Sequence, residues 1–280
     1  MLIRCWGSRG SVPVSGKEYV KYGGDTTCIE IRTLSDDIVI IDAGTGIRRL
    51  GNHLMAEDRW EYHLIFTHAH WDHIMGFPFF RPLFNPRTRL HMYRCPISKF
   101  VKTMLTTVMD PPYFPIRFSD AKADISYAGD DLCSPHFTIG SLMVEPIALS
   151  HPNTGRGYKF TEGEKTFVFL TDNELAYNHP GRIDYADYVA VCKDADLLVH
   201  DAEYTPEEYA KLISWGHSAY TQALDLALDA GVKRLGLFHL NQDRTDGQVD
   251  DILADSRRII SERGSAMACF VVAGDTEIEI

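Results

Sequence analysis

Four potential metal ligands fall within six consecutive residues, His68-Ala69-His70-Trp71-Asp72-His73. They follow directly on Tyr62-His63-Leu64-Ile65-Phe66, which reads as a strand. A loop leaving a buried strand can turn all four side chains toward one point. Neutral imidazole and carboxylate are ligands for zinc, iron or manganese. The bland alternative is a surface loop rich in histidine, since the chain has 12 His in 280 residues. The spacing His-X-His-X-Asp-His is far more specific than a lone HxxH.

Three later residues repeat the same placement. His151 follows the apolar run Ile147-Ala148-Leu149, Asp172 follows Phe167-Val168-Phe169-Leu170, and His239 follows Leu235-Gly236-Leu237-Phe238. Each sits just past a strand, where a buried sheet meets a cleft. Singly, each reads as a strand-end cap or turn residue.

The rest of the chain alternates β-rich runs with helical stretches. Strands are expected at 29–32, 38–41, 62–66, 124–127, 142–149, 157–161, 166–170, 196–199, 234–238, 269–272 and 277–280. Helices are expected at 45–56, 205–213, 220–229 and 246–263. The turns at 35–37 and 162–165 imply antiparallel pairs. Two sheets covered by outer helices, a four-layer αββα sandwich of the α/β class formed as one domain over 1–280, satisfy this pattern. A doubly wound parallel sheet fits the hairpins less well.

No apolar run approaches the roughly 20 residues that span a bilayer, and the N-terminus has no signal-peptide core. A soluble, cytoplasmic protein is expected. Lys plus Arg is 28 against 39 Asp plus Glu, a net charge of −11. Such a chain repels a polyanion at long range, so long nucleic acid is not the expected partner. The cysteines, Cys5, Cys28, Cys95, Cys133, Cys192 and Cys269, form no CxxC pair and read as buried thiols.

The His68–His73 motif resembles the signature of the metallo-β-lactamase superfamily. That resemblance implies two divalent ions, zinc or alternatively manganese. His68, His70 and His151 would hold one, and Asp72, His73 and His239 the other, with Asp172 bridging. Leu198-Val199-His200-Asp201-Ala202 followed by Gly216-His217-Ser218 is similar to the RNase Z branch and its phosphodiesterase relatives. There a His-Glu-Ala-Thr segment and a Gly-His-Ser segment pair an acid with a histidine beside the metals. Asp201 stands where that branch has Glu, one methylene shorter, and His217 matches its histidine. The tRNA-binding members carry a protruding arm between the equivalents of His151 and Asp172, or a comparable insertion elsewhere. Here 20 residues separate those two, enough for one hairpin.

The expected activity is therefore hydrolysis of a small, even cyclic, phosphodiester, with Asp72, His217 and Asp201 as catalytic residues. The rivals are an RNase Z-like nuclease acting on RNA or DNA ends, a metal-binding sensor without turnover, and a dinuclear iron redox protein. Arg9 in Gly7-Ser8-Arg9-Gly10-Ser11 offers a phosphate contact or marks a tight turn. Arg156 and Lys159 offer phosphate contacts or lie on a solvated hairpin. Gly23-Gly24-Asp25-Thr26-Thr27 reads as a turn feeding a strand, and Asp42 as structural. The aromatic segments 76–84 and 111–118 fit a pocket wall, a homodimer contact or plain core equally.

Overall fold

The computed structural model describes residues 1–93, 101–128 and 136–280; Cys95 and Cys133 lie outside them. The chain opens with β1 (Leu2–Gly7), β2 (Cys28–Arg32), β3 (Ile38–Ile41), α1 (Ile47–Ala56), β4 (Glu61–Ile65) and α2 (Trp71–Ile74). It continues through β5 (Arg89–Tyr93), α3 (Val101–Val108), β6 (Asp124–Ala128), β7 (Phe137–Ile139), β8 (Leu142–Leu149), β9 (Gly155–Glu162) and β10 (Lys165–Leu170). It closes with α4 (Tyr185–Cys192), β11 (Leu197–Asp201), α5 (Pro206–Tyr209), α6 (Tyr220–Asp229), β12 (Arg234–Phe238), α7 (Asp246–Glu262), β13 (Ala268–Val271) and β14 (Glu277–Glu279).

The strands form two seven-stranded sheets, ordered β14-β1-β2-β3-β4-β5-β6 and β13-β12-β11-β10-β9-β8-β7. Both are mixed. The β2–β3 and β9–β10 pairs are antiparallel, as the two hairpin turns require, while β3 to β6 and β10 to β13 run parallel.

Three apolar layers explain the stacking. Ile29, Ile31, Val39 and Ile41 of one sheet meet Phe160, Phe167, Phe169 and Val199 of the other between the sheets. Outside the first sheet, Ile47, Leu50 and Leu54 of α1 pack with Ile40, Leu64 and Leu90. These α1 residues recur at the three- and four-residue spacing that makes one helix face. Outside the second sheet, Leu224 and Ala227 of α6 and Val249 and Ile252 of α7 cover Val168, Leu198 and Leu235. Strands β3 and β11 are buried at every position because helices and the opposite sheet cover both faces. The architecture is the expected αββα sandwich. No described helix is long and apolar enough to cross a membrane.

The short helix α2 and the elements β5, β7, α3 and α4 escaped the pattern reading. Helix α4 carries valine and alanine around its circumference and buries only Tyr188 and Cys192, so it shows no clean stripe. The helix expected over 205–213 stops at Tyr209. Beyond it Ser214 and Gly216 turn left-handed (φ 75° and 96°), and their N–H groups donate to the buried Glu174 carboxylate at 2.7 and 2.8 Å. A tertiary acceptor thus overrides local helix propensity.

Candidate metal centre

Parallel strands deliver their C-terminal ends to one edge of the sandwich, and the site assembles there. Asp42 follows β3, His68 and His70 follow β4, and α2 presents Asp72 and His73. His151 follows β8, Asp172 follows β10, Asp201 ends β11 and His239 follows β12. Asp42, Asp172 and His239 adopt left-handed backbone (φ 62°, 50° and 57°). Non-glycine residues pay for that conformation, and it persists where surrounding structure fixes it, commonly at functional sites.

The sequence-predicted ligands fall into two groups that share one carboxylate. His68, His70, His151 and Asp172 form the first; Asp72, His73, His239 and Asp172 form the second. Asp172 lies 3.5 and 3.7 Å from Nε2 of His68 and His151 on one side. On the other side it lies 3.2 and 3.4 Å from Nε2 of His73 and His239. Asp72 Oδ2 sits 3.3 Å from His73 Nε2 and 3.2 Å from His239 Nε2, and accepts the Ser11 N–H at 2.9 Å.

Outer partners set the tautomers. The Nδ1–H of His73 donates to Asp42 at 2.7 Å, that of His151 to the Gly216 carbonyl at 2.8 Å, and that of His239 to Glu203 at 2.9 Å. His68 Nδ1 meets Thr67 Oγ1 at 3.0 Å. Each of these rings therefore turns Nε2 inward, the arrangement that orients imidazole toward a metal. Nε2 of His68 and of His73 are buried with no hydrogen-bond partner. Leaving a buried polar atom unmet costs about 1–3 kcal/mol. His70 Nδ1 lies only 2.9 Å from His151 Nε2. A cation among these lone pairs resolves both anomalies, so the residues fit a two-ion site.

The electrostatics divide the rings. Burial pushes His68 well below the usual imidazole range and His151 down to about 3. Burial also opposes protonation of His73 and His239, but Asp72 and Asp172 beside the first, and Asp172, Asp72 and Glu203 beside the second, outweigh it and raise both well above that range. Asp172 and Asp72 are held well below the usual carboxylate range by their histidines despite burial.

A third cluster adjoins the second group: Asp201, His217 and His239. His217 Nδ1 donates to Asp201 at 2.6 Å, and its ring stacks on His239 with centroids 4.6 Å apart. Asp201, although shorter than glutamate, reaches its histidine. Gly216 and Gly10 permit the close packing. A Cβ on Gly216 would fall 2.3 Å from the His151 ring, and one on Gly10 would fall 2.4 Å from the His239 ring.

The chain matches the beta-lactamase superfamily domain over residues 38–240, well over half its length. The chain belongs to the beta-lactamase superfamily. With both ligand groups assembled, it is a metal-dependent hydrolase of the superfamily's metallo fold, similar to RNase Z. Ribonuclease Z of Oceanobacillus iheyensis is 22% identical over 270 residues, covering 80% of this chain and 85% of its own. The metallo-beta-lactamase fold protein YhfI of Bacillus subtilis matches 100% of this chain and 98% of its own with TM-score 0.72 at 18% identity. A diphosphatase of the PhnP family matches 100% and 97% with TM-score 0.67 at 17% identity. These two structures share the superfamily fold.

Within that fold the secondary expectations sort cleanly. Arg9 is no phosphate contact: it is fully buried, and its guanidinium donates to the carbonyls of Gly23, Asn241 and Arg244. Its loop serves the site instead through the Ser11 N–H. Lys159 lies opposite Glu145 in mid-strand, near Cys192 at the C-terminal end of α4, and so away from the cleft. Asp25 ties Thr45 and Arg49, a structural role. In the aromatic segments Phe77, Phe80 and Phe118 are core, while Phe79 and Phe114 meet edge to face at 5.5 Å.

Pattern reasoning missed Glu174 and Glu203, both fully or nearly fully buried acids. Glu203 receives His239 and Asn241. Glu174 receives His179, Tyr209, Ser214 and Gly216, and so fixes the loop that carries His217. Their signal was position: each lies two residues beyond a predicted site aspartate, Asp172 or Asp201.

Proposed function

We propose that this protein is a phosphodiesterase that hydrolyses a small phosphodiester, cyclic or linear, at a two-ion centre. Asp172 carries the reading, because one carboxylate faces two pairs of imidazole Nε2 atoms from opposite sides. His68, His70, His151 and Asp172 would hold one ion; Asp72, His73, His239 and Asp172 would hold the other. The nitrogen and oxygen donors suit zinc, with manganese the alternative. Two divalent ions bound there supply Lewis acidity, which polarises the phosphoryl group and acidifies a water.

The chain's residues do the rest. Two divalent ions would bring four positive charges beside the two negative ones of Asp72 and Asp172, and so would draw a phosphate to the ligand groups. The Asp201 carboxylate fixes Nδ1–H of His217, leaving Nε2–H for the substrate. As water oxygen bonds to phosphorus, the bond from phosphorus to the departing oxygen breaks. His217 gives that oxygen its proton and recovers one from the water. Asp72 orients His73 and His239 and is itself steadied by the Ser11 N–H.

Cleavage of RNA ends is the second reading, favoured by the relative named ribonuclease Z. The small substrate is preferred because β9 and β10 form a plain hairpin between His151 and Asp172, and because the net charge is −11. The test is hydrolysis by metal-loaded protein of a panel of cyclic and linear diesters beside precursor tRNA. Faster turnover of the small diesters supports the proposal. Faster cleavage of precursor tRNA, with steeply salt-dependent binding, overturns it.

A further inference from the structure

A cavity of about 570 Å³ opens beside the first ligand group and shares His68 with it. Its size is that of a small-molecule site. A larger cavity of about 700 Å³ lies where β3 to β6 begin, at the opposite edge of the sheet, and shares no residue with the cluster. The smaller one is walled by the segment 67–74, by one face of α3 and by the turn 153–156.

We propose that this cavity seats the ester group that the product phosphate keeps, and that the group is a planar heteroaromatic ring of the nucleobase kind. The inference rests on the phosphodiesterase reading above. The cavity is lined by His68, whereas His217, which stacks on His239 and meets the His151 ring at 5.3 Å, does not line it, nor does His239. A substituent in the cavity is therefore the retained one, and His217 serves the departing oxygen.

The wall chemistry selects the occupant. Trp71, 58% exposed, offers an aromatic face, and Met104 adds a thioether; both suit a flat ring. Helix α3 presents Thr103, Met104, Thr107 and Val108, the neighbours of one helix face. The Thr107 hydroxyl donates to the Thr103 carbonyl at 2.9 Å, so its methyl is left for the cavity. Among the described residues no carboxylate lines the wall, and the hydroxyls of Thr67 and Thr107 are spent on Asp42 and on the Thr103 carbonyl.

Among the described residues Arg156 is the wall's single formal charge. Among the described residues no hydrogen bond or ion pair engages its guanidinium. An arginine so placed suits a ring-edge carbonyl acceptor of a nucleobase, such as O4 of thymine, which a plain hydrocarbon lacks. The turn that carries Arg156 is built at a cost. Asn153 and Thr154 are both left-handed (φ 63° and 69°), a true outlier for β-branched threonine. The turn is pinned by Thr154 N–H to the His151 carbonyl at 3.1 Å and by Arg156 N–H to the Thr67 carbonyl at 2.9 Å. It thus fixes the arginine relative to a ligand and to the strand that carries His68.

Two p-nitrophenyl diesters with the same leaving group test this: one of thymidine monophosphate, one of methyl phosphate. Wild-type protein should prefer the thymidine diester in kcat/KM. Thr107→Trp, which fills the cavity from an exposed helix position, should lower that preference roughly tenfold or more, chiefly through KM and with metal content intact. Arg156→Ala should lower it too. Calorimetry should show thymidine monophosphate binding more tightly than methyl phosphate, and Thr107→Trp should remove the difference. A preference and a binding difference unchanged in both variants would overturn the cavity's role and leave the phosphodiesterase reading standing. If neither diester is hydrolysed, that reading falls. The calorimetric difference then decides the cavity alone: its loss in Thr107→Trp supports the assignment and its persistence overturns it.

Discussion

His217 donates through Nδ1 to Asp201 across 2.6 Å. Burial opposes protonation of this ring, but the nearby Glu203 and Asp201 carboxylates outweigh it and carry His217 up to about 9. The charged form is therefore held beside the cluster at neutral pH. Two bound cations would pull the value down again, toward the working range of a general acid. His217→Ala should lower kcat by about 10²- to 10⁴-fold for diesters with poor leaving groups, with the ion content retained. For p-nitrophenolate esters, which need no proton, the loss should shrink. Asp201→Asn removes an anion that favours imidazolium, so His217 should lose its proton at lower pH. The alkaline limb of the pH–rate profile should move down accordingly. Equal losses for both leaving groups would assign His217 to phosphate positioning instead.

Among the described residues Asp172 is the one carboxylate common to both ligand groups. Asp172→Ala should cost both ions, whereas His151→Ala should weaken one site more than the other. Elemental analysis after reconstitution and dialysis reads this directly. Retention of one tightly bound ion by Asp172→Ala would exclude a bridging role.

Metal uptake should release protons. His73 and His239 are raised well above 6.5 without metal, so both carry protons at neutral pH that an ion must displace. Apparent affinity should rise with pH through the neutral and alkaline range. Calorimetry in buffers of different ionisation enthalpy should register the released protons. The same shifts set the stability of the metal-free protein. A group whose pKa is raised on folding stabilises fully below its unfolded value, about 6.5, and that contribution is lost as pH climbs through the folded value. His68 and His151, which burial pushes down, oppose this only below about 6.5, so the chelated protein should unfold at lower denaturant in alkaline buffer than in neutral buffer, with the metal-loaded protein less sensitive.

Glu174 gathers two side-chain donors and two backbone N–H groups on one buried carboxylate. Glu174→Ala leaves those donors without an acceptor, at about 1–3 kcal/mol for each buried one. The urea midpoint should fall by several tenths of its value. Gly216→Ala should do damage of another kind. It forces a Cβ against the His151 ring at a backbone angle (φ 96°) that favours glycine, so the His151 ion should weaken along with stability. An unchanged midpoint in Glu174→Ala would show that the loop is held by other contacts.

The parts of this site that were legible in the sequence share a cause. A ligand must stand at a strand end, and strands announce themselves by short β-branched and aromatic runs. His68, His151, Asp172 and His239 could each be found one or two residues past such a run. The layered fold followed from the same runs and two hairpin turns. Asp42 and Thr67 were visible as strand-end residues, but their service to His73 depends on β3 lying beside β4, a pairing that no local pattern states. Glu174 and Glu203 were hidden because a buried acid looks like a surface acid until its partners, forty residues away, are in place. Arg9 shows the converse: a glycine-flanked arginine resembles a phosphate ligand, yet three backbone carbonyls from distant loops consume its donors.

Two ions, not one, should make this cleft hydrolytic. Zinc or manganese added stepwise to chelator-stripped protein, with hydrolysis of a small p-nitrophenyl phosphodiester followed at each step, decides the matter. Activity should be negligible without metal and should level off at two equivalents per chain. A plateau at one equivalent, or full activity in the stripped protein, would contradict a two-ion requirement.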